Sequence, residues 1–321
     1  MKENKVFLIV LVVIIFLFTY ELDYVVYVPG GTVNLEKRLV VEGGYESEGS
    51  FHMAYVSMMD GKIPFVLLSY LMPNWDLVKS EDVKYETETL DEMVKRDKIS
   101  MQQSLDNAII NAYKMANKEI DIKGTINHVT LLSNEAKTDI KLFDELISIN
   151  DQEIKNLNEI KEIVEQNPAG TVFKVKYKRD GNIHEGQATS YDTNIGTKIG
   201  IGIITTYDYE TTPKIEVKTK ASESGPSGGM MMTLDIYNQL VEEDITSGKK
   251  IVGTGTIDLE GNVGAIGGVK YKILGAKNKK ADIFLVPEEN YEEAIQIKKD
   301  FNIDMKIVSV KNISEAIEAL K

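Results

Sequence analysis

Cysteine is absent from this chain of 321 residues, and tryptophan occurs only once. The lack of thiols excludes zinc-ribbon sites, cysteine proteases and disulfide scaffolds. Positive charge is also scarce, because 37 Lys and Arg stand against 50 Asp and Glu, for a formal net charge of −13. A nucleic-acid binder needs a basic face, so we expect no nucleic-acid partner. The length suits two or three domains of about 100–200 residues each.

Motifs for metals and nucleotides are missing as well. The three histidines, His52, His128 and His184, do not have the spacing of a metal-ligand motif. No Gly-x-x-x-x-Gly-Lys-Ser/Thr loop occurs, which disfavours a nucleotide-binding enzyme. We therefore expect a protein that uses no metal and no cofactor.

Long apolar runs are limited to one, Val6–Tyr20 near the N-terminus. It is shorter than the roughly 20 residues of an average membrane-spanning helix, and a cleavable signal peptide is the alternative. No small-x-small cleavage site follows the run. We therefore predict that residues 1–25 form a short cytoplasmic stub and an uncleaved transmembrane anchor.

Charged residues flank this run with opposite signs. Lys2 and Lys5 precede it, and Glu21 and Asp23 follow it. Cytoplasmic segments carry an excess of Lys and Arg. The pattern predicts a single-pass protein of the cell membrane, with its N-terminus in the cytoplasm and its catalytic domain outside.

Residues 26–118 are predicted to form a membrane-proximal region that packs onto a later domain. Pro29-Gly30-Gly31 is typical of a turn, and Phe65–Leu68 of a strand. Residues 90–118 carry apolar side chains three and four positions apart, which predicts a helix that faces a core.

Residues 119–194 show a different order of elements. Strand-like pieces lie within 142–154, a helical pattern covers 156–167, and Arg179-Asp180-Gly181-Asn182 is typical of a hairpin turn. This order resembles a PDZ domain, with Phe143 where that family usually has glycine. The resemblance implies capture of extended peptide ends by strand addition. The alternative is a small α/β domain that only spaces the next domain from the membrane.

Residues 195–321 alternate strands with helices. The strands are predicted at 199–204, 215–219, 250–257 and 282–287, and the helices at 230–243, 291–299 and 313–320. Such alternation predicts an α/β layer structure. We assign the chain to the α/β (α+β) class, with an N-terminal transmembrane helix ahead of the two domains.

One serine stands in a turn, Gly225-Pro226-Ser227-Gly228, just before the helix predicted from Met230. The N–H groups in the first turn of a helix are free, and such donors can stabilise an oxyanion. A serine hydroxyl is a weak nucleophile and needs a base within hydrogen-bond reach. The turn by itself makes Ser227 a candidate nucleophile only.

Two lysines, Lys270 and Lys272, follow a glycine-rich segment at 253–268. A solvated lysine is protonated at neutral pH, whereas burial in an apolar pocket lowers its pKa and makes the amine a competent base. On a helix these two side chains lie about 200° apart. Only one of them can therefore serve Ser227.

The pairing of the two segments resembles the proteolytic domain of the Lon family, serine peptidases with a Ser-Lys dyad, over roughly residues 195–321. By this resemblance Ser227 is the nucleophile, Lys272 is the general base, and Thr254 hydrogen-bonds the lysine. The turn and oxyanion residues that the resemblance implies are Gly225, Pro226 and Gly228.

Two positions depart from the family pattern. Gly228 stands where alanine is usual, which loosens the start of the helix by about 1 kcal/mol at most. Many Lon enzymes carry an acid directly before Gly-Pro, whereas this chain has Ser224 there and Glu223 one position earlier. Participation of an acid in the dyad is therefore in doubt.

Taken together, these features look like the membrane-anchored Lon-like proteases of bacteria. No ATPase signature precedes the domain, so the resemblance implies ATP-independent cleavage of secreted or membrane-tethered polypeptides outside the cytoplasm. It also implies a homo-oligomer, because Lon-like domains often assemble as rings. The alternative function is a non-catalytic, membrane-anchored adaptor that binds peptides through the PDZ-like module.

Overall fold

The computed structural model describes residues 2–85, 87–220 and 222–321. Met1, the first residue of the predicted cytoplasmic stub, lies outside this part. The α-helices are α1 (Lys2–Thr19), α2 (Ile63–Ser69), α3 (Leu90–Met115), α4 (Leu157–Glu165), α5 (Gly229–Leu240), α6 (Val269–Asn278), α7 (Tyr291–Asp300) and α8 (Ile313–Leu320). The strands are β1 (Glu21–Asn34), β2 (Leu39–Val41), β3 (Ser50–Lys62), β4 (Asp76–Lys79), β5 (Glu119–Leu132), β6 (Lys137–Thr138), β7 (Glu145–Ile149), β8 (Gln152–Glu153), β9 (Val172–Arg179), β10 (Asn182–Thr189), β11 (Tyr191–Thr193), β12 (Gly196–Lys198), β13 (Ile201–Thr212), β14 (Ile215–Val217), β15 (Lys250–Gly253), β16 (Thr256–Ile257), β17 (Val263–Gly264), β18 (Ile283–Pro287) and β19 (Lys306–Val310).

A six-stranded sheet has the order β19-β18-β15-β3-β1-β4. β15 runs parallel to β18 and to β3, and its register places Ser50 beside Lys250 and Met53 beside Gly253. β1 runs antiparallel to both of its neighbours. Strands of the predicted membrane-proximal region therefore share one sheet with strands of the predicted proteolytic domain.

Both faces of this sheet are covered, as is usual for parallel strands. Successive side chains of a strand point to opposite faces. Ile251 and Leu285 accordingly pack in the core that includes α3, α5 and α8, while Val252 and Phe284 pack in the core that includes α6 and α7. The sheet therefore carries α5 on one face and α6 on the other.

A second sheet has the order β13-β5-β7-β9-β10-β6, with β8 paired to β7. Its core joins Ile160 and Val164 of α4 to Val129 and Phe173 of the strands. β13 pairs with β5 from Ile201 to Thr212 and forms the edge of the sheet. The strand predicted at 199–204 therefore belongs to this sheet, and its assignment to the last domain is corrected.

Two local predictions are wrong. Phe65–Leu68 lies in α2, because Pro64 occupies the first helical turn, where its fixed φ and missing N–H suit a helix. Pro29-Gly30-Gly31 continues β1 through a shift of register that ends at Thr32. A Cβ on Gly30 would overlap the carbonyl of Tyr55, so glycine here serves close strand packing instead of a turn.

The predicted helix at 90–118 is confirmed as α3. Thr89 begins it with a capping box, in which its hydroxyl accepts the N–H of Glu92 and the Glu92 carboxylate accepts the N–H of Thr89. The helices predicted at 156–167 and 291–299 are confirmed as α4 and α7, with shifted ends.

The apolar N-terminal run forms α1, and its side chains from Val6 to Phe16 are exposed. Across residues 2–85, 87–220 and 222–321, the structure has no helix with the length and apolarity that crossing a membrane requires. The predicted transmembrane helix is therefore not supported.

Candidate active site

The turn that carries Ser227 is held by α3. Gly225 has a φ of +88°, a left-handed conformation that glycine adopts without strain. Its N–H donates to the carbonyl of Asp97 at 2.9 Å, and the hydroxyl of Ser104 donates to the carbonyl of Pro226 at 2.7 Å. These two bonds fix the turn, and Ser227 stays partly exposed just ahead of α5.

Lys272 lies near the start of α6, and only 4% of it is exposed. α6 begins after Gly268, whose φ is +71°. A Cβ at Gly268 would lie 2.7 Å from Cγ2 of Val56, so glycine lets α6 approach β3 closely. Burial lowers the pKa of Lys272 to about 8. About a tenth of the amine is therefore neutral at pH 7.

Thr254 connects the two segments. Its hydroxyl donates to the carbonyl oxygen of Ser227 at 3.0 Å and accepts a bond from Nζ of Lys272 at 3.1 Å. Thr254 is fully buried directly after β15, and its N–H donates to the carbonyl of Leu285. Because a hydroxyl has one proton, its bond to Ser227 obliges Lys272 to be the donor in the second bond.

In this structure, Lys272 is linked to Ser227 through the Thr254 hydroxyl and the backbone carbonyl of Ser227, and not through the Ser227 hydroxyl. Among the residues described, the Ser227 hydroxyl has no hydrogen-bond partner. The Ser227 carbonyl is held twice, by Thr254 and by the N–H of Gly255 at 2.8 Å. Catalytic hydrogen bonds are often loose before substrate binds and tighten in the complex. The absence of a partner within the described residues leaves the hydroxyl available to a substrate.

Two backbone donors beside the nucleophile are free. Within the described part of the chain, the N–H groups of Ser227 and Gly228 have no acceptor. The other two residues of the predicted oxyanion turn cannot help, because Pro226 has no N–H and the N–H of Gly225 is bonded to α3. An oxyanion site here therefore consists of the two N–H groups next to the N-terminus of α5.

Gly228 has a φ of −94° and a ψ of −8°, which any residue adopts. Glycine at this position is explained by lack of space, since a Cβ on residue 228 would lie 2.8 Å from Sδ of Met53. Met53 of β3 thus fills the volume that an alanine methyl group would take. The departure from the family pattern at this position is matched by a side chain from a distant part of the chain.

The alternative lysine and the neighbouring acid are both engaged elsewhere. Nζ of Lys270 lies 2.7 Å from Asp76, as expected for a side chain on another face of the helix. The carboxylate of Glu223 lies 2.6 Å from the guanidinium of Arg38. In the described residues, no carboxylate is hydrogen-bonded to Lys272. The site is therefore built on a lysine without an acid partner.

A cleft of about 550 Å³ opens beside Ser227. This volume lies within the usual range of ligand pockets. Its apolar walls are Met53, Val56, Met101 and Met232. Its basic side chains are Lys37, Arg38 and Lys220.

Sequence reasoning missed Ser104 and Met53. A signal existed for Ser104, because the buried polar residues Ser104, Asn107 and Asn111 recur on one face of α3. The two asparagines donate to carbonyls of the segment 257–258. Buried polar groups of this kind are hydrogen-bonded, so their spacing marks a contact surface. Met53 gives no such signal, since it follows an ordinary strand pattern.

Two of the three histidines, His128 and His184, have their contacts away from the site. His128 lies 3.0 Å from the hydroxyl of Thr206, and the ring of His184 stacks on Tyr177. In the ranges that the structure describes, no three His, Cys, Asp or Glu side chains form a group able to hold a metal ion.

Residues 211–321 match the family of the Lon protease (S16) C-terminal proteolytic domain. This range contains Ser227, Thr254 and Lys272. It does not contain β1, β3 or α3, which complete the sheet and hold the nucleophile turn. The matched segment thus depends on earlier parts of the chain for its structure.

Curated relatives show the same partial likeness. The chain is 35% identical over 96 residues to the Lon protease of Xanthomonas oryzae pv. oryzae, covering 30% of this chain and 11% of that protein. It is 31% identical over 93 residues to the Lon protease of Aster yellows witches'-broom phytoplasma, covering 29% of this chain and 12% of that protein. The chain therefore spans only a small part of the length of these relatives.

Among solved structures, the chain is similar to the PDZ domain of an SdrC-like protein from Listeria monocytogenes. The two are 15% identical, and the match covers 27% of this chain and 93% of that one, with a TM-score of 0.23. A likeness at this TM-score supports no argument about the fold.

Proposed function

We propose that this chain is a serine endopeptidase with Ser227 as nucleophile and Lys272 as general base. The observation that carries the proposal is the chain of hydrogen bonds from buried Lys272 through the Thr254 hydroxyl to the backbone carbonyl of Ser227. Burying a lysine without a carboxylate partner is costly, and groups whose pKa is shifted in this way cluster at functional sites. The likeness of residues 211–321 to a Lon proteolytic domain supports the same reading.

The proposed reaction assigns one step to each of these groups. Neutral Lys272 takes the proton of the Ser227 hydroxyl as the oxygen attacks the peptide carbonyl. The N–H groups of Ser227 and Gly228 stabilise the oxyanion that forms. Lys272 then gives its proton to the leaving amine, which breaks the peptide bond and leaves an ester on Ser227. A water molecule, deprotonated by Lys272, hydrolyses that ester and restores the hydroxyl.

Cleavage of an unstructured protein tests the proposal. The full chain, purified in detergent, should cut casein into peptides, whereas Ser227→Ala and Lys272→Ala should each abolish cutting. Lys270→Ala is the matched control, because this lysine lies on the same helix and bonds Asp76. Full activity of the Ser227 or Lys272 variant would refute the dyad.

We also propose that cleavage proceeds without ATP, because the sequence contains no phosphate-binding loop of the Gly-x-x-x-x-Gly-Lys-Ser/Thr type. Casein should be cut at equal rates with ATP and magnesium, with a non-hydrolysable ATP analogue, and with no nucleotide. A rate that depends on ATP hydrolysis contradicts this part of the proposal.

Polypeptide substrates are proposed to dock in a second groove, of about 660 Å³, between α4 and the start of β13. β13 is an edge strand, so its outward N–H and C=O groups are able to pair with an extended peptide, as in PDZ domains. Ile195 lines the groove and is 70% exposed. Ile195→Asp should raise KM for casein and leave kcat unchanged; an unchanged KM argues against docking here.

A peptide-binding adaptor without catalysis is the second candidate. It is favoured by the same edge strand and groove, which need no nucleophile. An adaptor binds casein equally well as wild type and as Ser227→Ala, and neither form cuts it. Binding by both with cutting by wild type alone supports the peptidase.

Attachment to the cell membrane, with the catalytic residues outside the cytoplasm, is a further part of the proposal. α1 exposes apolar side chains, and Tyr70 and Leu71, which follow α2, are 74% and 79% exposed. Large exposed apolar patches mark interaction sites. The full chain should sediment with membranes, and protease added to intact cells should degrade residues 26–321. Recovery in the high-speed supernatant contradicts attachment.

A homo-oligomer is proposed on the family resemblance alone. Light scattering during size-exclusion chromatography of the detergent-purified chain measures its mass after subtraction of the detergent. A mass equal to one chain of 36.0 kDa at all concentrations contradicts it.

A further inference from the structure

Helix α3 contacts the nucleophile turn with one of its faces. Ser104 donates to the carbonyl of Pro226, the residue before Ser227, at 2.7 Å. About two turns earlier on the helix, and so on the same face, the carbonyl of Asp97 accepts the N–H of Gly225 at 2.9 Å. The position of the turn is therefore set directly by the position of α3.

An adjacent face of the same helix contacts β13. The side-chain amide of Gln103 donates to the carbonyl of Thr205 at 3.0 Å. The carboxylate of Asp106, three positions later and thus on the same side of the helix, accepts the N–H of Tyr207 at 2.9 Å. It also accepts the hydroxyl of Tyr209 at 3.3 Å.

These bonds close one part of the edge strand and leave another part open. Residues 205–207 give backbone groups to α3, whereas Ile201 and Gly202 line the groove beside α4. A peptide that pairs with the open part of β13 would end next to the residues that α3 holds.

The linkage between α3 and β13 is stiff. Asp106 is fully buried, and its carboxylate is also bonded by the side-chain amide of Gln102 at 2.7 Å. Breaking such bonds leaves buried polar groups without partners, which is unfavourable. A displacement of β13 is therefore passed to α3 more readily than it is absorbed at their contact.

We infer that α3 couples the groove beside β13 to the nucleophile turn, with Gln103 and Ser104 as positioning residues on its two faces. A peptide docked on the open part of β13 shifts the strand, α3 follows, and Ser104 carries Pro226 and Ser227 with it. The consequence for catalysis rests on the proposed endopeptidase function, whereas the mechanical coupling does not.

Amide hydrogen exchange of the full chain, read by mass spectrometry, tests the coupling without any catalytic assay. Gln103→Ala and Ser104→Ala each remove one side-chain bond, and each should speed exchange at both 205–209 and 225–230. The loss of one such bond corresponds to about a five-fold change. Ser100→Ala is the matched control, because this serine is also buried but its hydroxyl bonds the carbonyl of Arg96 within α3.

The pattern of the changes decides between outcomes. If Gln103→Ala affects 205–209 alone and Ser104→Ala affects 225–230 alone, the contacts are local and the inference is overturned. Should Ser104→Ala fail to fold, Gln103→Ala decides by itself, since its side chain is only half-buried. Unchanged exchange at 225–230 in that variant overturns the coupling.

Kinetics on casein then separate coupling from catalysis. Gln103→Ala should lower kcat about five-fold with little change in KM, and Ser100→Ala should match the wild type. If the substitutions act only by destabilising α3, Gln103→Ala and Ser100→Ala should lower the fraction of active protein equally. If exchange is coupled but wild type cuts nothing, the endopeptidase proposal fails and the coupling stands. If wild type cuts casein but exchange at the two segments is not coupled, the endopeptidase proposal stands and the coupling fails.

Discussion

Met53 and Gly228 share one volume beside the nucleophile. The sulfur of Met53 lies 2.8 Å from the position that a Cβ on residue 228 would occupy. Met53 belongs to β3 and Gly228 precedes α5, so two distant segments are fitted to each other at the cleft. The glycine that departs from the Lon pattern is therefore explained by its neighbour and not by backbone conformation.

Gly228→Ala should lower kcat/KM about three- to ten-fold, because the added methyl group displaces Met53 or the turn. The double variant Met53→Ala with Gly228→Ala should recover most of that loss. The check is a double-mutant cycle on casein cleavage, with an expected coupling of about 1 kcal/mol. Additive losses would show that the two side chains do not compete for space.

Thr254→Val should lower kcat at least ten-fold, since it removes the hydroxyl that links Lys272 to Ser227. It should also move the acidic limb of the pH profile to lower pH. The hydroxyl accepts a bond from Lys272, which favours the charged amine, so its removal lowers the pKa of that amine further. Thr254→Ser keeps the hydroxyl and should preserve both kcat and the position of the acidic limb. If the acidic limb of Thr254→Val does not move, the hydrogen bond between Lys272 and the Thr254 hydroxyl has no effect on the pKa of the lysine.

The rate of cleavage should rise with pH. Burial lowers the pKa of Lys272 to about 8, and only the neutral amine accepts a proton, so kcat/KM should climb between about pH 7 and 9 and then level off. The measurement is initial cleavage rates across pH, with Lys270→Ala as the control that keeps the same midpoint. A flat profile from about pH 6 to 9.5, with chemistry limiting, excludes Lys272 as the base.

Asp235→Asn should stabilise the fold increasingly as pH rises. Burial raises the pKa of Asp235 to about 8, so the folded chain holds a proton that the unfolded chain loses near pH 4. Folded chains thus bind more protons between these values, and wild-type stability falls across that window. Urea unfolding should show a gain of about 2–4 kcal/mol at pH 9 and little gain at pH 4.

Asp244→Asn is the control of opposite sign for this experiment. Burial opposes ionisation of Asp244, but bonds from the N–H groups of Thr246 and Glu48 outweigh it and lower its pKa. Its charged form therefore stabilises the fold above the unfolded pKa, and the variant should lose stability at high pH. Equal effects of both substitutions at pH 4 and 9 contradict the assigned protonation states.

Local sequence patterns predicted several helices of the fold correctly. Periodicity located α3, α4 and α7, because an amphipathic pattern reflects the face that each helix buries. It failed at Phe65–Leu68, where a short apolar run fits a strand or a helix and the proline before it decided for a helix. It also failed at Pro29-Gly30-Gly31, where the need for close packing against Tyr55 could not be read from neighbours in the chain.

The sequence alone determined the residue types at the candidate site: a serine in a tight turn, a threonine and a lysine, each within a local pattern. Only the tertiary structure decided that Lys272 is buried and Lys270 is not, and that Thr254 lies between Lys272 and the Ser227 carbonyl. Only it showed β3 and α3 holding the nucleophile turn. The reason is physical: burial, desolvation and hydrogen-bond partners depend on segments far apart in the chain, which meet only when the sheet has formed.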